Sequence, residues 1–272
     1  MTVPASSRVA WEPLTPRGVA AFAHARFGRL MLVQFVVAAL TALTLNWFLS
    51  EDCLPIIRAA IEALPDKGQI QSGQLDWHGD SPQLLAEGNF LALNVDLEHS
   101  GQYRSPADVQ IEFGKTSVRV LSLFGYVDLS YPPDEAFYFD RPDLQPIWGA
   151  WEPDILAITI AAVAGGLMLI WALLATLYFV PVWLACYFTD RALNLRQSWR
   201  LAGAALLPGA LLFMVALAFY TLGVLDLIEL TIAFAAHLVL AWVYLGVSFW
   251  FLPRVAPAEQ KNPFGEKPRG SQ

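Results

Sequence analysis

Residues 30–49 read LMLVQFVVAALTALTLNWFL, with no charged side chain anywhere in the run. About 20 apolar residues in a helix match the thickness of a bilayer core, so this stretch predicts a transmembrane helix. Three further runs meet the same test at 155–180, 206–225 and 230–252. The second ends at Pro181, which predicts a kink or exit. The last two are separated only by Asp226-Leu227-Ile228-Glu229, which predicts a helical hairpin. The composition agrees: 56% of the 272 residues are hydrophobic and 15% charged, against roughly 25% charged in globular domains. A disordered chain and an ordinary soluble enzyme are both excluded on that ground.

The charges are distributed by segment. Segment 1–29 holds Arg8, Arg17, Arg26 and Arg29, the loop 181–205 holds Arg191, Arg196 and Arg200, and the tail 253–272 holds Arg254, Lys261, Lys267 and Arg269. These 11 of the 17 basic residues are accompanied by four acids, Glu12, Asp190, Glu259 and Glu266. Segment 50–154 carries 18 acids against six bases. Lys and Arg near membrane spans mark the cytoplasmic side. Both termini are therefore expected to be cytoplasmic, with 50–154 on the periplasmic side. Trp47, Trp148, Trp151, Trp183 and Trp250 fall at the span ends, as rings that prefer the headgroup level should.

The first span follows basic residues, as a signal peptide would. Its apolar run exceeds the roughly 7–15 residues of an h-region, and LNWFLSEDC has no small-x-small cleavage site, which predicts an uncleaved signal anchor. Ahead of it, PRGVAAFAHARFGR (16–29) places Val19, Phe22 and Phe27 near one helical stripe, with Pro16 in the first turn. An amphipathic helix lying along the inner interface is expected there. Cys53 and Cys186 are predicted on opposite sides of the bilayer, so they cannot pair within one chain.

Within 50–154 the hydrophobic period changes. Ile57, Ile61 and Leu64 share a helical face with Arg58 and Glu62 elsewhere, predicting a short amphipathic helix continuing outward from the first span. Alternation then takes over at Leu91, Leu93, Val95 and Leu97, at Val109, Ile111 and Phe113, and at Val118 and Val120. Gly114-Lys115 is a hairpin turn signal. Residues 121–131 alternate in a shifted phase, which allows a bulge near Val120 or a separate element. A mainly antiparallel sheet is expected, packed on one face and wet on the other, followed by a proline-spaced lead to the membrane. The fold class is thus an integral membrane α-helical bundle of four transmembrane helices with a small extracytoplasmic α+β domain.

HExxH, GxSxG, GxxxxGK[ST], GxGxxG and CxxC are all missing, and the chain is not expected to be an enzyme or to hold a cofactor. Asp76, His78 and Asp80 would point to one side of a strand as a mixed N/O set for a divalent ion; the plainer reading is a solvated strand end. His99 beside Asp96 and Glu98 is a weaker cluster, since neighbouring strand residues face opposite ways. In the fourth span, His237 is the one ionisable residue well inside a helix, on a stripe with Ala233, Ala241, Tyr244 and Ser248. A proton or ion path through His237 with Asp226 or Glu229 is one reading; a neutral histidine with a local hydrogen bond is the other. Ala157, Ala161 and Gly165 suggest close helix packing. Arg191, Arg196 and Arg200 would suit anionic headgroups, though enforcing orientation suffices to explain them. An acidic outer segment argues against nucleic acid as a partner.

The layout of one anchor helix, an outer segment of about a hundred residues and three further helices resembles a family of bacterial four-helix membrane proteins of unknown function, itself distantly similar to Yip1-type proteins. LNLRQSWRLAGAALLPGALL ahead of the third span and IEALPDKGQIQSGQLDWHGDSPQLL in the outer segment carry the resemblance. It implies a bacterial inner-membrane location and no catalytic residue. The expected function is a non-enzymatic inner-membrane protein whose periplasmic domain binds a membrane or periplasmic protein partner or senses the envelope. A small transporter or accessory subunit using spans two to four is the alternative, and a membrane-surface enzyme the third.

Overall fold

The structure is a computed structural model that describes residues 12–254; the expectations for Arg8, Glu259, Lys261, Glu266, Lys267 and Arg269 lie outside the described residues. Four helical stretches are long and apolar enough to cross a membrane: Phe27–Glu62, Arg141–Phe188, Leu195–Thr221 and Leu227–Phe251. In chain order the helices are α1 (Pro16–Phe22), α2 (Phe27–Phe48), α3 (Leu54–Glu62), α4 (Arg141–Phe188), α5 (Leu195–Ala205), α6 (Leu207–Thr221) and α7 (Leu227–Ser248). Between α3 and α4 come β1 (Gly68–Gln71), β2 (Gln74–Trp77), β3 (Gln83–Glu87), β4 (Leu91–Val95), β5 (Val109–Phe113), β6 (Ser117–Ser122), β7 (Gly125–Ser130) and β8 (Phe137–Tyr138).

All four spans are longer than the sequence pattern suggests. A wide π turn, Leu49–Cys53, carries α2 into α3 without a break, as the change of period implied. The largest departure is α4, which starts at Arg141 rather than 155 and runs past Pro181 to Phe188. Asp140 starts it by accepting the Asp143 N–H at 3.0 Å, and Pro142 stands in the first turn, where a missing N–H costs nothing. Pro146, Pro153 and Pro181 each remove one helical hydrogen bond, and α4 runs through all three; the stretch around Pro181 is apolar, where a helix is kept despite the missing bond.

The described residues form two compact units, one of residues 12–33, 170–208 and 239–254 and one of residues 34–169 and 209–238. In the first, α1 begins at Pro16 with Thr15 as its cap, the Thr15 hydroxyl accepting the Gly18 N–H at 3.0 Å. Val19 and Phe22 are fully buried, and α1 packs on α5 and on the 3-10 turn Phe249–Phe251. Phe27 does not extend that stripe. The chain turns at residues 23–26, and Phe27 opens α2 with its ring exposed. The apolar face of α1 is therefore spent on protein packing. On α7, Ser248 Oγ donates to the Pro16 carbonyl at 2.9 Å and Tyr244 donates to the Leu14 carbonyl at 2.7 Å.

The second unit contains two sheets, ordered β2-β1-β8 and β3-β4-β5-β6-β7. Every strand pair is antiparallel except β4 with β5, which run parallel in register Asn94 to Glu112. The core gathers Ala60 and Leu64 of the α3 end, Ile70, Leu75, Leu91, Leu93 and Val95, with Ile56 and Ile57 packed against it. Arg58 does not pair with Glu62 along the helix; it reaches Glu152 of α4 at 2.6 Å. The shifted phase after Val120 comes from a two-residue turn at Leu123-Phe124 and not from a bulge: β6 and β7 pair regularly from Ser117–Ser130 to Ser122–Gly125.

Ala157, Ala161 and Gly165 are not a packing stripe. Ala157, Ala161 and Gly165 are exposed, and a Cβ built on Gly165 or Gly166 meets nothing within 4 Å. Close approach occurs instead at Gly209, where a Cβ would lie 2.4 Å from the His237 carbonyl oxygen. Backbone cannot give way there as a side chain tip can. Gly209→Val is expected to destabilise the protein by about 1–3 kcal/mol through overpacking, lowering the thermal midpoint of the detergent-solubilised chain by several degrees. Gly246→Ala, where nothing lies within 4 Å, should leave the midpoint unchanged or slightly raised; equal midpoints for both variants would refute the close contact.

Candidate functional site

A parallel strand pair needs a crossover of a dozen or more residues, usually a helix. Here residues 96–108 do that work without one, and polar side chains hold them down. Asn94, Asp96, Gln110 and Glu112 are all buried, on the face of β4 and β5 that alternation predicted to be wet. That prediction is corrected: β4 is buried along its whole length. Gln110 Nε2 donates to Asn94 Oδ1 at 2.8 Å and Asn94 Nδ2 to Glu112 Oε2 at 3.4 Å. Asp96 receives the Ser100 hydroxyl at 2.7 Å and the Gly101 N–H at 3.2 Å. Gln110 also accepts the Ser105 N–H at 3.1 Å. Burial of such groups is tolerable only when each finds a partner.

His99 belongs to this cluster by a route the sequence hides. Its partner is Glu112, with Nδ1 and Oε1 2.6 Å apart, and not Asp96 or Glu98. Its Nε2 lies 3.1 Å from the Ser117 hydroxyl. His99 has φ +50°, and a Cβ on Gly114 would fall 2.1 Å from the ring, so only glycine fits at 114. Carboxylate, imidazole and hydroxyl in this order resemble a nucleophile relay. The ring lies against the Gly114 backbone, and with one nitrogen on Glu112 and the other on Ser117 it closes the crossover onto the sheet. Tyr131 adds to the closure by donating to the Gly114 carbonyl at 3.1 Å, and burial pushes its phenol up.

The other end of the five-stranded sheet is bare. All six residues of β7 are exposed, and it pairs with β6 alone. Val127 and Leu129 oppose Val120 and Val118 on one face, and the turn presents Leu123 and Phe124, the latter 73% exposed. On the opposite face Arg119 binds Asp128 through Nε at 2.8 Å, and its guanidinium lies 4.9 Å from the Tyr126 ring centre. The hydrogen bond from Arg119 holds the Asp128 carboxyl below its ordinary value. No sequence motif marks this patch, although the run LFGYVDL is its signature once the turn is known.

The sequence-predicted residues divide as follows. Asp76 lies in β2 and stands 3.7 Å from His78, both side chains exposed. Asp80 follows in a turn in which its carbonyl accepts the Trp77 indole N–H at 2.8 Å. Among the described residues no three His, Cys, Asp or Glu side chains gather in a way that could hold a metal ion. His237 bonds through Nδ1 to the Phe234 carbonyl one turn back and lies between the rings of Phe213 and Phe234, at 5.5 and 4.8 Å. Asp226 and Glu229 cap α7 reciprocally: Asp226 Oδ1 accepts the Glu229 N–H at 2.8 Å, and Glu229 Oε2 accepts the Asp226 N–H at 3.1 Å. Both acids are thus committed at the helix start, two turns from His237. Asp226 also borders a small cavity of about 220 Å³ with Asp52, Asp108 and Tyr220, whose hydroxyl donates to Asp108. Arg191 donates to the Leu252 carbonyl at 2.7 Å and Arg200 to that of Ala25, while Arg196 is exposed.

Compared with protein-family models, curated proteins and solved structures, the chain matches none.

Glu112→Ala leaves the donors of His99 and Asn94 without an acceptor, at a cost of about 1–3 kcal/mol. Amides of 96–108 should then exchange hydrogen at least tenfold faster in the full-length protein; unchanged exchange would remove the clamp from the account. At the bare edge, the contribution of Asp128 is complete above the ordinary carboxyl value of 3.8 and is lost as pH falls through its lowered value. Exchange along β7 should therefore be insensitive to this pair between pH 7 and 5 and rise only in stronger acid, and Asp128→Asn should abolish that rise.

Proposed function

We propose that the protein is a non-enzymatic integral membrane protein of the bacterial cytoplasmic membrane, a four-helix relative of the Yip1-like proteins it resembles, whose 50–154 domain docks a protein partner in the periplasm along β7. The observation that carries the docking role is the exposed apolar edge of the five-stranded sheet. A strand with free N–H and C=O groups on one side and apolar side chains beside it is a template for strand addition. Soluble domains blunt such edges with Lys, Pro or a covering element; β7 has Asp128 alone, already paired with Arg119. Leu123 and Phe124 at the turn and Val127 and Leu129 on the strand supply the apolar part of the contact.

The orientation follows from the charge count. Eighteen acids in 50–154 and the arginines of 17–29, 191–200 and 254 support cytoplasmic termini and a periplasmic sheet domain. The transporter reading is the weaker one, because the acids it would couple to His237 serve as a helix cap. Photo-crosslinking from position 126 in native membranes should trap one stoichiometric partner. Val127→Lys with Leu129→Lys, charges that an exposed edge accepts without unfolding, should reduce that product more than tenfold at equal protein level; an undiminished product would defeat the β7 assignment.

A further inference from the structure

An open cleft of about 860 Å³ lies in the first unit. Phe27 and Met31 of α2 and Ala172 and Phe179 of α4 give it apolar walls, and Asn194, Arg196, Trp199 and Arg200 line its other end. Trp199 is fixed there by a hydrogen bond to Thr176 Oγ1 at 3.0 Å and by packing on Phe27, ring centres 5.7 Å apart. No lining residue is acidic. The five ion pairs among the described residues all fall within 50–154, so among these residues no carboxylate pairs with Arg196 or Arg200. Arg200 spends one guanidinium nitrogen on the Ala25 carbonyl, and its Nε is buried without an acceptor. Two guanidiniums that line one cleft with no described carboxylate paired to either call for an anion. The start of α5 adds to the field. Its capping box satisfies Asn194 and Gln197, leaving the Leu195 and Arg196 amides as the free donors of the first turn.

We propose that this cleft binds one anionic phospholipid, its phosphate held by Arg196 and Arg200 and an acyl chain laid along Phe27, Met31, Ala172 and Phe179. The occupant follows from where the walls stand. Ala172 and Phe179 belong to the apolar stretch of α4, whose Leu173 and Leu177 are exposed, and Leu195 on the cleft wall is exposed as well. Such a surface is reached by a molecule dissolved in the bilayer. A cleft of this size is within the roughly 300–1,000 Å³ of ligand sites and accepts a headgroup with the start of one chain. Arg191 takes no part, since it lines none of the cleft and is held to the Leu252 carbonyl. This inference shares with the proposed function only the membrane setting and is independent of β7.

Native mass spectrometry of the full-length protein in nonionic detergent tests it, with dioleoyl phosphatidylglycerol, dioleoyl phosphatidylcholine and inorganic phosphate as probes. One phosphatidylglycerol should bind at least fivefold tighter than phosphatidylcholine. Arg196→Gln, at an exposed residue with no hydrogen bond to lose, should weaken it about fivefold, the usual effect of one basic group near an anionic headgroup. Ala172→Trp, which fills the apolar wall, should weaken both lipids alike. Arg17→Gln, exposed and outside the cleft, should change nothing. The proposal is overturned if Arg17→Gln weakens phosphatidylglycerol as much as Arg196→Gln does, if neither cleft variant has an effect, or if the two lipids bind equally. Displacement of the lipid by millimolar inorganic phosphate would likewise replace it with a site for the free ion.

Discussion

The hydrogen bonds joining Asn94, Gln110, Glu112 and His99 hold the sheet domain together. A parallel β4–β5 pair places Asn94 of β4 and Gln110 and Glu112 of β5 under the connection between them, and this connection is a loop. Buried Glu112 and Asn94 are tolerable only because His99 and Gln110 meet them. His99 can do so only from a left-handed backbone and against a glycine at 114. With one face of β4 closed by α3 and its core cluster and the other by this polar clamp, the middle of the sheet is sealed. The uncovered surface is pushed to β7, where the apolar side chains continue and all six residues are exposed.

The exposed edge thus follows from the same arrangement. Four helices and an α+β domain were legible because hydrophobic runs of this length and the alternation of β4, β5 and β6 record backbone geometry directly. What the pattern could not show was which face of a strand is covered. Asn94 and Glu112 read as wet positions because polar residues usually are, and the crossover that buries them has no periodicity of its own. Likewise the shift of phase at Leu121 is real, yet a two-residue turn and a bulge change the alternation by the same step. Candidate chemistry was legible as residue types only. Asp226 and Glu229 are three apart ahead of an apolar run, the spacing of a helix cap, and that local signal outweighs the more distant pairing with His237.

The helices teach a related point about proline. Pro146, Pro153 and Pro181 mark boundaries in a water-soluble reading, since each deletes a backbone hydrogen bond. α4 runs through all three; at Pro181, within its apolar stretch, the alternative to the helical ladder is unsatisfied backbone, which costs more than one missing bond. Pro181 therefore says little about where the span ends, and Arg191 and Arg196 say more.

Charge pairing adds a final constraint. In 50–154, Arg58, Arg119 and Arg141 each meet a carboxylate, Glu152, Asp128 and Asp66, and 18 acids still outnumber all six bases there. Arg191 and Arg200 find carbonyls instead of carboxylates, and a carbonyl accepts a hydrogen bond without cancelling charge. Neither set of segments neutralises itself, so the net charge of -7 is the remainder of two opposite surfaces. A positive surface whose donors are only half satisfied by carbonyls retains its attraction for phosphate. The acidic one repels it, so the attraction for a phosphate group is confined to the basic segments.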